Sequence, residues 1–398
     1  MTIADRWLLP DGIDEVLPPQ ASRMEELRRA LLDLYHRWGY DQVMPPPVEF
    51  LDSLLTGPGS ELDLQTIKLI DQLTGRMMGA SADVTPQVAR MDAHSLKRQG
   101  PVRLCYCTNV LRAKPDHPQG SRSPVQVGLE LFGHAGIEAD LEILRLALAS
   151  LAAAGASEIH LAIGHIGIYR SLVESAELSA DAEQAIFKAL RLKSPGELAS
   201  QVEAAVQDPE LAEMFCALGE LNGGPEVLDE AREAFSEAPQ AVGAALDQLC
   251  ALYQGVTTEF PEVALFFDMA ELRGFRYHTG MMFAAYVPGY GQALVKGGRY
   301  DDTGRAFGRA RPATGFSMDL KQLAGLANGK VSAGGIWAPA EGAGLEEVVS
   351  ALRLHGVRVG QARPGPRTGP AQHGCHRHLV WADGGWQVVA LEPAADQT

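Results

Sequence analysis

The sequence predicts an α+β fold, with strands and helices in separate blocks of the chain. Strand-like segments fall in two blocks, one before residue 164 and one after residue 255. The residues between them, 164–255, are rich in Ala, Glu and Leu and follow a helical spacing, so we predict a helical insertion there. After about residue 327 the chain becomes rich in Gly, Pro and Ala. We therefore expect a core over residues 1–325 and a small α/β region over residues 330–398.

The first element is predicted to be an amphipathic helix over residues 22–38, in which apolar residues recur at three- and four-residue steps. Ser22 is a suitable N-cap, and Gly39 is a typical residue for the end of a helix. Residues 40–50 then predict extended chain, interrupted by Pro45-Pro-Pro47. Because proline donates no backbone hydrogen bond, this segment suits the edge of a sheet or an interface.

Further elements of the core follow from local pattern. Turn residues between two apolar runs predict a hairpin, and helical or alternating spacing predicts the others. In chain order we predict a hairpin over residues 67–80, a helix over 85–96, strands over 102–110 and 125–133, a helix over 138–154, a strand over 158–163, strands from Val263 through the Gly-rich residues 271–301, and a helix that begins near Met318.

The C-terminal region shows one weak strand–helix–strand unit, with strands over residues 335–338 and 357–360 and a helix over 346–355. The stretch Gln372-His-Gly-Cys-His-Arg-His378 brings three histidines and a cysteine close together. Since neither a carboxylate nor a cysteine pair frames it, we interpret it as an exposed polar loop, with a metal site as the alternative.

Composition narrows the class of protein. The net charge of −16 disfavours nonspecific binding to nucleic acid, for which Lys and Arg supply most of the affinity. Five widely spaced cysteines indicate reduced thiols and a cytoplasmic location. The sequence carries neither an apolar run long enough to span a membrane nor a leader pattern at its N-terminus. We expect no membrane, nucleic acid, metal or cofactor to be bound.

Five elements of the sequence carry a specific resemblance to the catalytic core of class II histidyl-tRNA synthetases. Residues 22–50 resemble motif 1, the dimer element of that class. Leu111-Arg-Ala-Lys-Pro-Asp-His-Pro-Gln119 with Gln126-Val-Gly-Leu-Glu-Leu-Phe-Gly133 resembles motif 2. Glu271-Leu-Arg-Gly-Phe-Arg-Tyr-His-Thr-Gly280 and Ala293-Leu-Val-Lys-Gly-Gly-Arg-Tyr-Asp301 resemble the two histidine-specific signatures, and Ala313-Thr-Gly-Phe-Ser-Met-Asp-Leu-Lys-Gln-Leu323 resembles motif 3. The resemblance covers about residues 10–325 and implies a class II antiparallel sheet flanked by helices.

The resemblance also implies a histidine pocket. Free histidine presents an ammonium, a carboxylate and an imidazole, which require acidic acceptors, arginine and polar ring partners. The implied contacts are Asp83 and Thr85 for the amino group, Arg112, Gln126 and Arg273 for the carboxylate, and Glu130 and His278 for the imidazole, with Tyr300 beside them. Two of these depart from the synthetases, because Asp83 stands for a glutamate and His278 for a tyrosine.

Larger departures fall at the positions that bind ATP in the synthetases. Motif 2 there carries a glutamate against the adenine, where this chain has Lys114. Motif 3 ends in Gly, Glu and Arg, where this chain has Asp319, Lys321 and Gln322. The loss of the arginine removes an always-charged, bidentate phosphate donor. The C-terminal region is short and does not resemble a complete anticodon-binding domain.

A histidine pocket without the ATP contacts resembles one family, the regulatory subunits of ATP phosphoribosyltransferase. This resemblance implies a non-catalytic chain that dimerises and joins the short-form catalytic subunit in a hetero-octamer. The complex carries out the first step of histidine biosynthesis, is activated by the regulatory subunit and is inhibited by free histidine.

Two alternatives remain at this point. In the first alternative, the chain is a true histidyl-tRNA synthetase, and the presence of Gln322 in place of the motif 3 arginine argues against it. In the second, the chain is a synthetase-like histidine-binding module that serves another enzyme. A neighbouring gene for a short ATP phosphoribosyltransferase separates the second alternative from the regulatory subunit.

Overall fold

The computed structural model describes residues 7–56, 59–115, 120–274, 277–326, 334–363 and 369–391. The chain divides into two compact units, Met1–Ala327 and Asn328–Thr398. Within the described residues, every helix is too short or too polar to cross a membrane.

The helices of the first unit, in chain order, are α1 Gln20–Arg37, α2 Leu51–Leu54, α3 Gly59–Gln65, α4 Thr85–Arg90, α5 Ile137–Ala153, α6 Ile166–Ser175, α7 Ala180–Arg191, α8 Pro195–Ala205, α9 Pro209–Glu220, α10 Val227–Ala234, α11 Gln240–Glu259 and α12 Leu320–Leu323. Its strands are β1 Asp41–Gln42, β2 Val48–Phe50, β3 Lys68–Ile70, β4 Met77–Ala80, β5 Val102–Asn109, β6 Val125–Phe132, β7 His160–His165, β8 Asn222–Gly223, β9 Ala264–Asp268, β10 Met281–Tyr286, β11 Val295–Arg299 and β12 Ala313–Asp319.

A nine-stranded sheet, in the order β1-β5-β6-β12-β11-β10-β7-β9-β8, forms the centre of the described part of this unit. Its strands pair antiparallel except for β1 with β5 and β7 with β9. Helices α1, α5 and α11 pack against it through buried aliphatic side chains such as Leu31, Ile143 and Leu249. The α+β prediction therefore describes the observed arrangement.

Helix α1 begins two residues before the predicted start. Its N-cap is Pro19, and Ser22 lies inside the first turn, so the predicted Ser22 cap is wrong. The predicted end is right, since Gly39 takes a positive φ of 81° and its amide donates to His36 O.

The predicted hairpin over residues 67–80 is confirmed as β3 and β4, which form a three-stranded sheet with β2. Helix α4 continues as a π-helical turn, Met91–Leu96, so the helix predicted over residues 85–96 is present with a change of pitch.

The insertion is helical, from α6 to α11, and it also contributes to the main sheet. Strand β8 pairs antiparallel with β9 at the sheet edge, a contact that the sequence pattern did not reveal. The helix predicted near Met318 is wrong in its start. Met318 belongs to β12, which pairs with β6 as far as Asp319, and only the single turn α12 follows.

The second unit contains β13 Gly335–Ala338, α13 Leu345–Leu354, β14 Val359–Gln361, β15 Cys375–Ala382 and β16 Gly385–Ala390. Its four-stranded sheet has the order β14-β13-β15-β16. The strand–helix–strand prediction is confirmed, but the exposed loop predicted over residues 372–378 is wrong: the second half of this stretch opens β15, and Cys375 is buried. Among the described residues, no cluster of three or more His, Cys, Asp or Glu is suited to a metal ion.

Candidate functional site

A cavity of about 450 Å³ lies on the central sheet of the first unit. All eight residues that the sequence analysis assigned to a histidine pocket line it, namely Asp83, Thr85, Arg112, Gln126, Glu130, Arg273, His278 and Tyr300. They come from α4 and the loop before it, from β6, from the end of the β5 strand and from the Gly-rich segments. Residues separated by more than 200 positions therefore meet in one cavity.

One wall carries hydrogen-bonded acid and amide groups. Gln126 Nε2 donates to Asp83 Oδ1 at 2.8 Å, and the Thr85 amide donates to the same oxygen at 3.1 Å. The Gln126 side-chain oxygen accepts from the Val84 amide at 3.1 Å. The Asp83 carboxylate is thus fixed at the start of α4, with a negative charge suited to an ammonium group.

Glu130 lies at the buried end of the cavity and is 1% exposed. Its carboxylate accepts hydrogen bonds from the hydroxyls of Tyr106, at 3.1 Å, and Tyr300. Burial raises the pKa of Glu130 to about 8, and the nearby Asp83 charge acts in the same direction. Gly315 of β12 faces this carboxylate so closely that a Cβ at that position would overlap it. The site therefore holds a carboxyl group that is largely protonated at neutral pH.

The aromatic wall is formed by Tyr277, His278 and Tyr300. The Tyr277 and Tyr300 rings stack with centroids 4.9 Å apart. His278 Nδ1 is buried and has no hydrogen-bond partner among the described residues. Burial lowers the pKa of His278 to about 4, so the ring is neutral at physiological pH. A neutral imidazole with an unused nitrogen is suited to a hydrogen bond with a polar ligand.

The cationic side of the cavity contains Arg112, Arg273 and Lys296. Arg112 Nε donates to Ala82 O at 3.2 Å. Arg273 forms an ion pair with Glu271 and donates to the Tyr286 hydroxyl at 2.6 Å, and the Glu271 carboxylate raises the pKa of Arg273. Glu271 and Lys296 also line the cavity and were not predicted, although they stand in the quoted segments, two and four residues from a predicted contact.

A second, smaller cavity of about 90 Å³ contains the motif 3 positions Asp319 and Gln322 and shares Arg112, Gln126 and Lys296 with the first. Asp319 caps α12 by accepting from the Lys321 amide at 3.0 Å, and it also accepts from the Val125 amide at 3.2 Å. Lys321 points its amine to Asp14. Lys114 is exposed and is absent from both cavity walls. Two of the motif 3 substitutions, Asp319 and Lys321, therefore have local partners of their own.

Comparison with known proteins decides the family. The family model "Histidyl-tRNA synthetase" matches residues 12–323, and the model "ATP phosphoribosyltransferase subunit HisZ C-terminal domain" matches residues 333–389. The ATP phosphoribosyltransferase regulatory subunit of Chromohalobacter salexigens is 67% identical over 98% of this chain and 100% of the relative. The regulatory subunit of Alkalilimnicola ehrlichii is 54% identical over 97% of each chain. The chain belongs to the family of ATP phosphoribosyltransferase regulatory subunits.

Solved structures agree with this placement. A protein of Bacillus halodurans, described as an ATP phosphoribosyltransferase regulatory subunit/histidyl-tRNA synthetase, superposes with a TM-score of 0.80 at 27% identity over 92% of this chain and 95% of that one. A histidyl-tRNA synthetase from Nostoc, at 18% identity and a TM-score of 0.79, covers 96% and 97% and shows the shared fold. The predicted class II synthetase-like fold is confirmed.

Membership in this regulatory-subunit family also confirms the expectation of a non-catalytic, regulatory chain and sets aside the synthetase alternative. One residue of the synthetase-like signature has a structural contact away from the cavity. Arg299, in Gly-Gly-Arg-Tyr-Asp, does not line the cavity, and its guanidinium instead forms a buried two-point ion pair with Asp140 of α5 at 2.9 and 3.0 Å. This pair fixes β11, and with it the neighbouring Tyr300, against α5.

Proposed function

We propose that this regulatory subunit binds free histidine in the 450 Å³ cavity and transmits its occupancy to the short-form catalytic subunit of ATP phosphoribosyltransferase. The catalytic subunit is activated by assembly with this chain and inhibited when histidine is bound, in the first step of histidine biosynthesis. The observation that carries the proposal is the convergence of Asp83, Glu130, Arg112 and His278 on one cavity beside a second cavity whose phosphate-binding positions hold Asp319 and Gln322.

Each polar group of histidine faces residues of complementary charge or hydrogen-bonding capacity in the cavity. The ammonium meets Asp83 and Thr85, and the carboxylate meets Arg112, Gln126 and Arg273. The imidazole lies between Glu130 and the unused nitrogen of His278, above the stacked tyrosines. A cavity of this volume suits a small ligand whose orientation is fixed by a few polar groups.

We further propose that the chain forms a homodimer through α1 and the proline-containing segment of residues 45–47, within a hetero-octamer in the cytoplasm. The net charge of −16 supports an assembly that does not bind nucleic acid.

The proposal is tested by purifying this chain with a short-form catalytic subunit and assaying phosphoribosyl transfer with and without histidine. We expect co-purification, a catalytic rate that rises with added regulatory subunit, and inhibition by histidine. Calorimetry on the chain alone should show one histidine site per chain. A catalytic subunit whose activity is indifferent to this chain contradicts the proposed function.

Arg273 provides a test of how the histidine signal is transmitted. Gly274 follows it with a positive φ of 70°, a conformation that glycine adopts without strain. We expect Arg273→Ala to leave assembly and activation intact and to weaken inhibition by histidine about tenfold, because a charged hydrogen bond to the carboxylate contributes roughly 1.5 kcal/mol. The measurement is the histidine concentration that halves the activity.

Arg232→Ala is the matched control for Arg273→Ala, since Arg232 forms an exposed ion pair with Asp247 in the insertion, away from both cavities. Loss of assembly in Arg273→Ala would show that the segment is an interface instead, and unchanged inhibition would remove Arg273 from the ligand contacts.

The second cavity predicts the absence of amino-acid activation. Asp319 places a carboxylate where the synthetases carry a glycine, and Gln322 offers no charge to a phosphate. We expect no histidine-dependent exchange of pyrophosphate into ATP, and no recovery in Gln322→Arg, because Asp319 still opposes the phosphates. Measurable exchange by the unmodified chain would contradict the non-catalytic role.

A further inference from the structure

Residues 10–14, upstream of α1, form a turn that is hydrogen-bonded to the segment leading into β6. The Ile13 amide donates to Pro10 O at 3.0 Å, and Gly12 between them has a φ of 75°, as a type II turn requires. The Arg122 amide donates to Gly12 O at 2.6 Å, and Arg122 Nη1 donates to Asp11 O at 3.0 Å. We refer to residues 10–14 as the N-terminal turn.

Lys321 holds the other end of the N-terminal turn. Its amine donates to Asp14 Oδ2 at 3.1 Å, to Asp14 O at 3.4 Å and to Ser123 Oγ at 3.2 Å. Ser121 Oγ donates to the second oxygen of Asp14 at 2.5 Å. The Lys321 side chain is only 13% exposed, so its contacts are better shielded from water than those of an ordinary surface pair.

The same segment supports the cavity. Arg122 Nε donates to Arg112 O at 3.0 Å, and the Arg112 amide donates to Arg122 O at 2.8 Å. Arg112 lines both cavities. A continuous set of hydrogen bonds therefore runs from Lys321 through Asp14 and the N-terminal turn to Arg122, and from there to the backbone of Arg112.

We propose that Lys321 is a positioning residue for the histidine cavity, which holds the N-terminal turn against Arg122 and thereby fixes the placement of Arg112. By the resemblance, Lys321 stands where the synthetases carry the acid of motif 3, at a position of their ATP site. In this chain the same position supports amino-acid binding instead. The inference rests on the proposed role of Arg112 as a carboxylate contact, and it assigns Lys321 no contact with the ligand.

Lys321→Met tests the inference because methionine keeps the length of the side chain and removes the charged donor. We expect the affinity for histidine, measured by calorimetry, to fall about three- to tenfold, the net contribution of about one ordinary hydrogen bond, because Lys321 acts on the ligand only through Arg112. Lys68→Met is the control, since Lys68 forms an ion pair with Asp63 and lines neither cavity. It should bind histidine as the unmodified chain does.

A double-mutant cycle with Arg112→Lys separates positioning from a general loss of structure. Lysine keeps the positive charge of Arg112 but not its two-point geometry, so it weakens binding and leaves it measurable. If Lys321 acts through Arg112, adding Lys321→Met to Arg112→Lys should cause little further loss, whereas an unrelated effect would add in full. The charge exchange Asp14→Lys with Lys321→Asp should recover most of the affinity lost in Lys321→Met.

The outcomes are distinct. If Lys321→Met binds histidine normally, or if its effect is fully additive with Arg112→Lys, the positioning role is overturned while the proposed site stands. If Arg112→Lys itself binds histidine normally, the carboxylate assignment fails and the positioning role fails with it.

Discussion

Asp140→Ala should lower the free energy of unfolding by about 3–5 kcal/mol, the loss expected when one partner of a buried ion pair is removed. The Asp140 and Arg299 side chains are 2% and 7% exposed. Without Asp140, the Arg299 guanidinium would keep its longer contacts to His134 O, at 3.2 Å, and to Gly136 O and the more exposed Asp301 carboxylate, both at 3.3 Å, and would lose its buried counter-charge. Urea denaturation followed by circular dichroism measures the effect.

Asp247→Ala is the control for Asp140→Ala, because its ion pair with Arg232 is largely exposed and such pairs contribute about 0–1 kcal/mol. Replacing both buried partners, Asp140→Leu with Arg299→Met, should be less destabilising than Asp140→Ala, since it leaves no unpaired charge in the core. If Asp140→Ala costs less than about 1 kcal/mol, this pair does not hold β11 in place.

The candidate site was more predictable from sequence than some of the secondary structure around it. Asp83 and Thr85 fall at the start of a helix, and Gln126 and Glu130 share one face of a strand because they are an even number of residues apart. The local sequence pattern is enough to predict where such side chains lie. The partners of Glu130 were not predictable in the same way, since the Tyr106 hydroxyl reaches it from the neighbouring strand, and pairing between distant strands leaves no local signal.

Two errors had local causes. Ser22 was assigned as a cap because serine is a favoured N-cap residue, but the chain already turns into α1 at Pro19. The β15–β16 hairpin was missed because histidines dominate its first half. A signal was present, since Asp383-Gly384 joins the two strands with φ angles of 52° and 81°, and Asp-Gly is among the strongest indications of a two-residue hairpin turn.

Glu130 predicts that the stability of the chain and its affinity for histidine depend on pH in different ways. Burial raises the pKa of the Glu130 carboxyl from 4.5 to about 8 in the folded chain. Its contribution to stability is fully present below the pKa of the unfolded chain, and it is lost as pH rises from there through the pKa of the folded chain. The free energy of unfolding should therefore fall by several kcal/mol, about 3–5, between pH 4.5 and pH 8 from this group alone. Glu130→Gln removes that dependence, so the variant should be more stable than the unmodified chain above pH 8.

The affinity for histidine should follow a different pH profile, with a maximum. The groups around Glu130 are the hydroxyls of Thr85, Tyr106 and Tyr300, with Asp83 as a nearby negative charge. An imidazole placed there shares one proton with Glu130, and the carboxyl already carries that proton near neutral pH. Affinity should be highest between about pH 6.5, where free imidazole titrates, and pH 8, and should fall about tenfold per pH unit above it. At pH 7, Glu130→Gln should weaken binding by roughly five- to a hundredfold, because an amide cannot share a proton with the imidazole and the charge-assisted hydrogen bond made by that shared proton is lost.

Calorimetry in buffers of different ionisation enthalpy measures the proton balance of histidine binding directly. We expect almost no proton exchange with buffer at pH 7 and uptake of one proton at pH 9, where Glu130 has lost its own. Affinity that rises from pH 7 to pH 9 would mean instead that Glu130 ionises on binding and accepts from a neutral imidazole. A pH profile unchanged by Glu130→Gln would place the imidazole away from Glu130, and the orientation of histidine in the cavity would then have to be reversed.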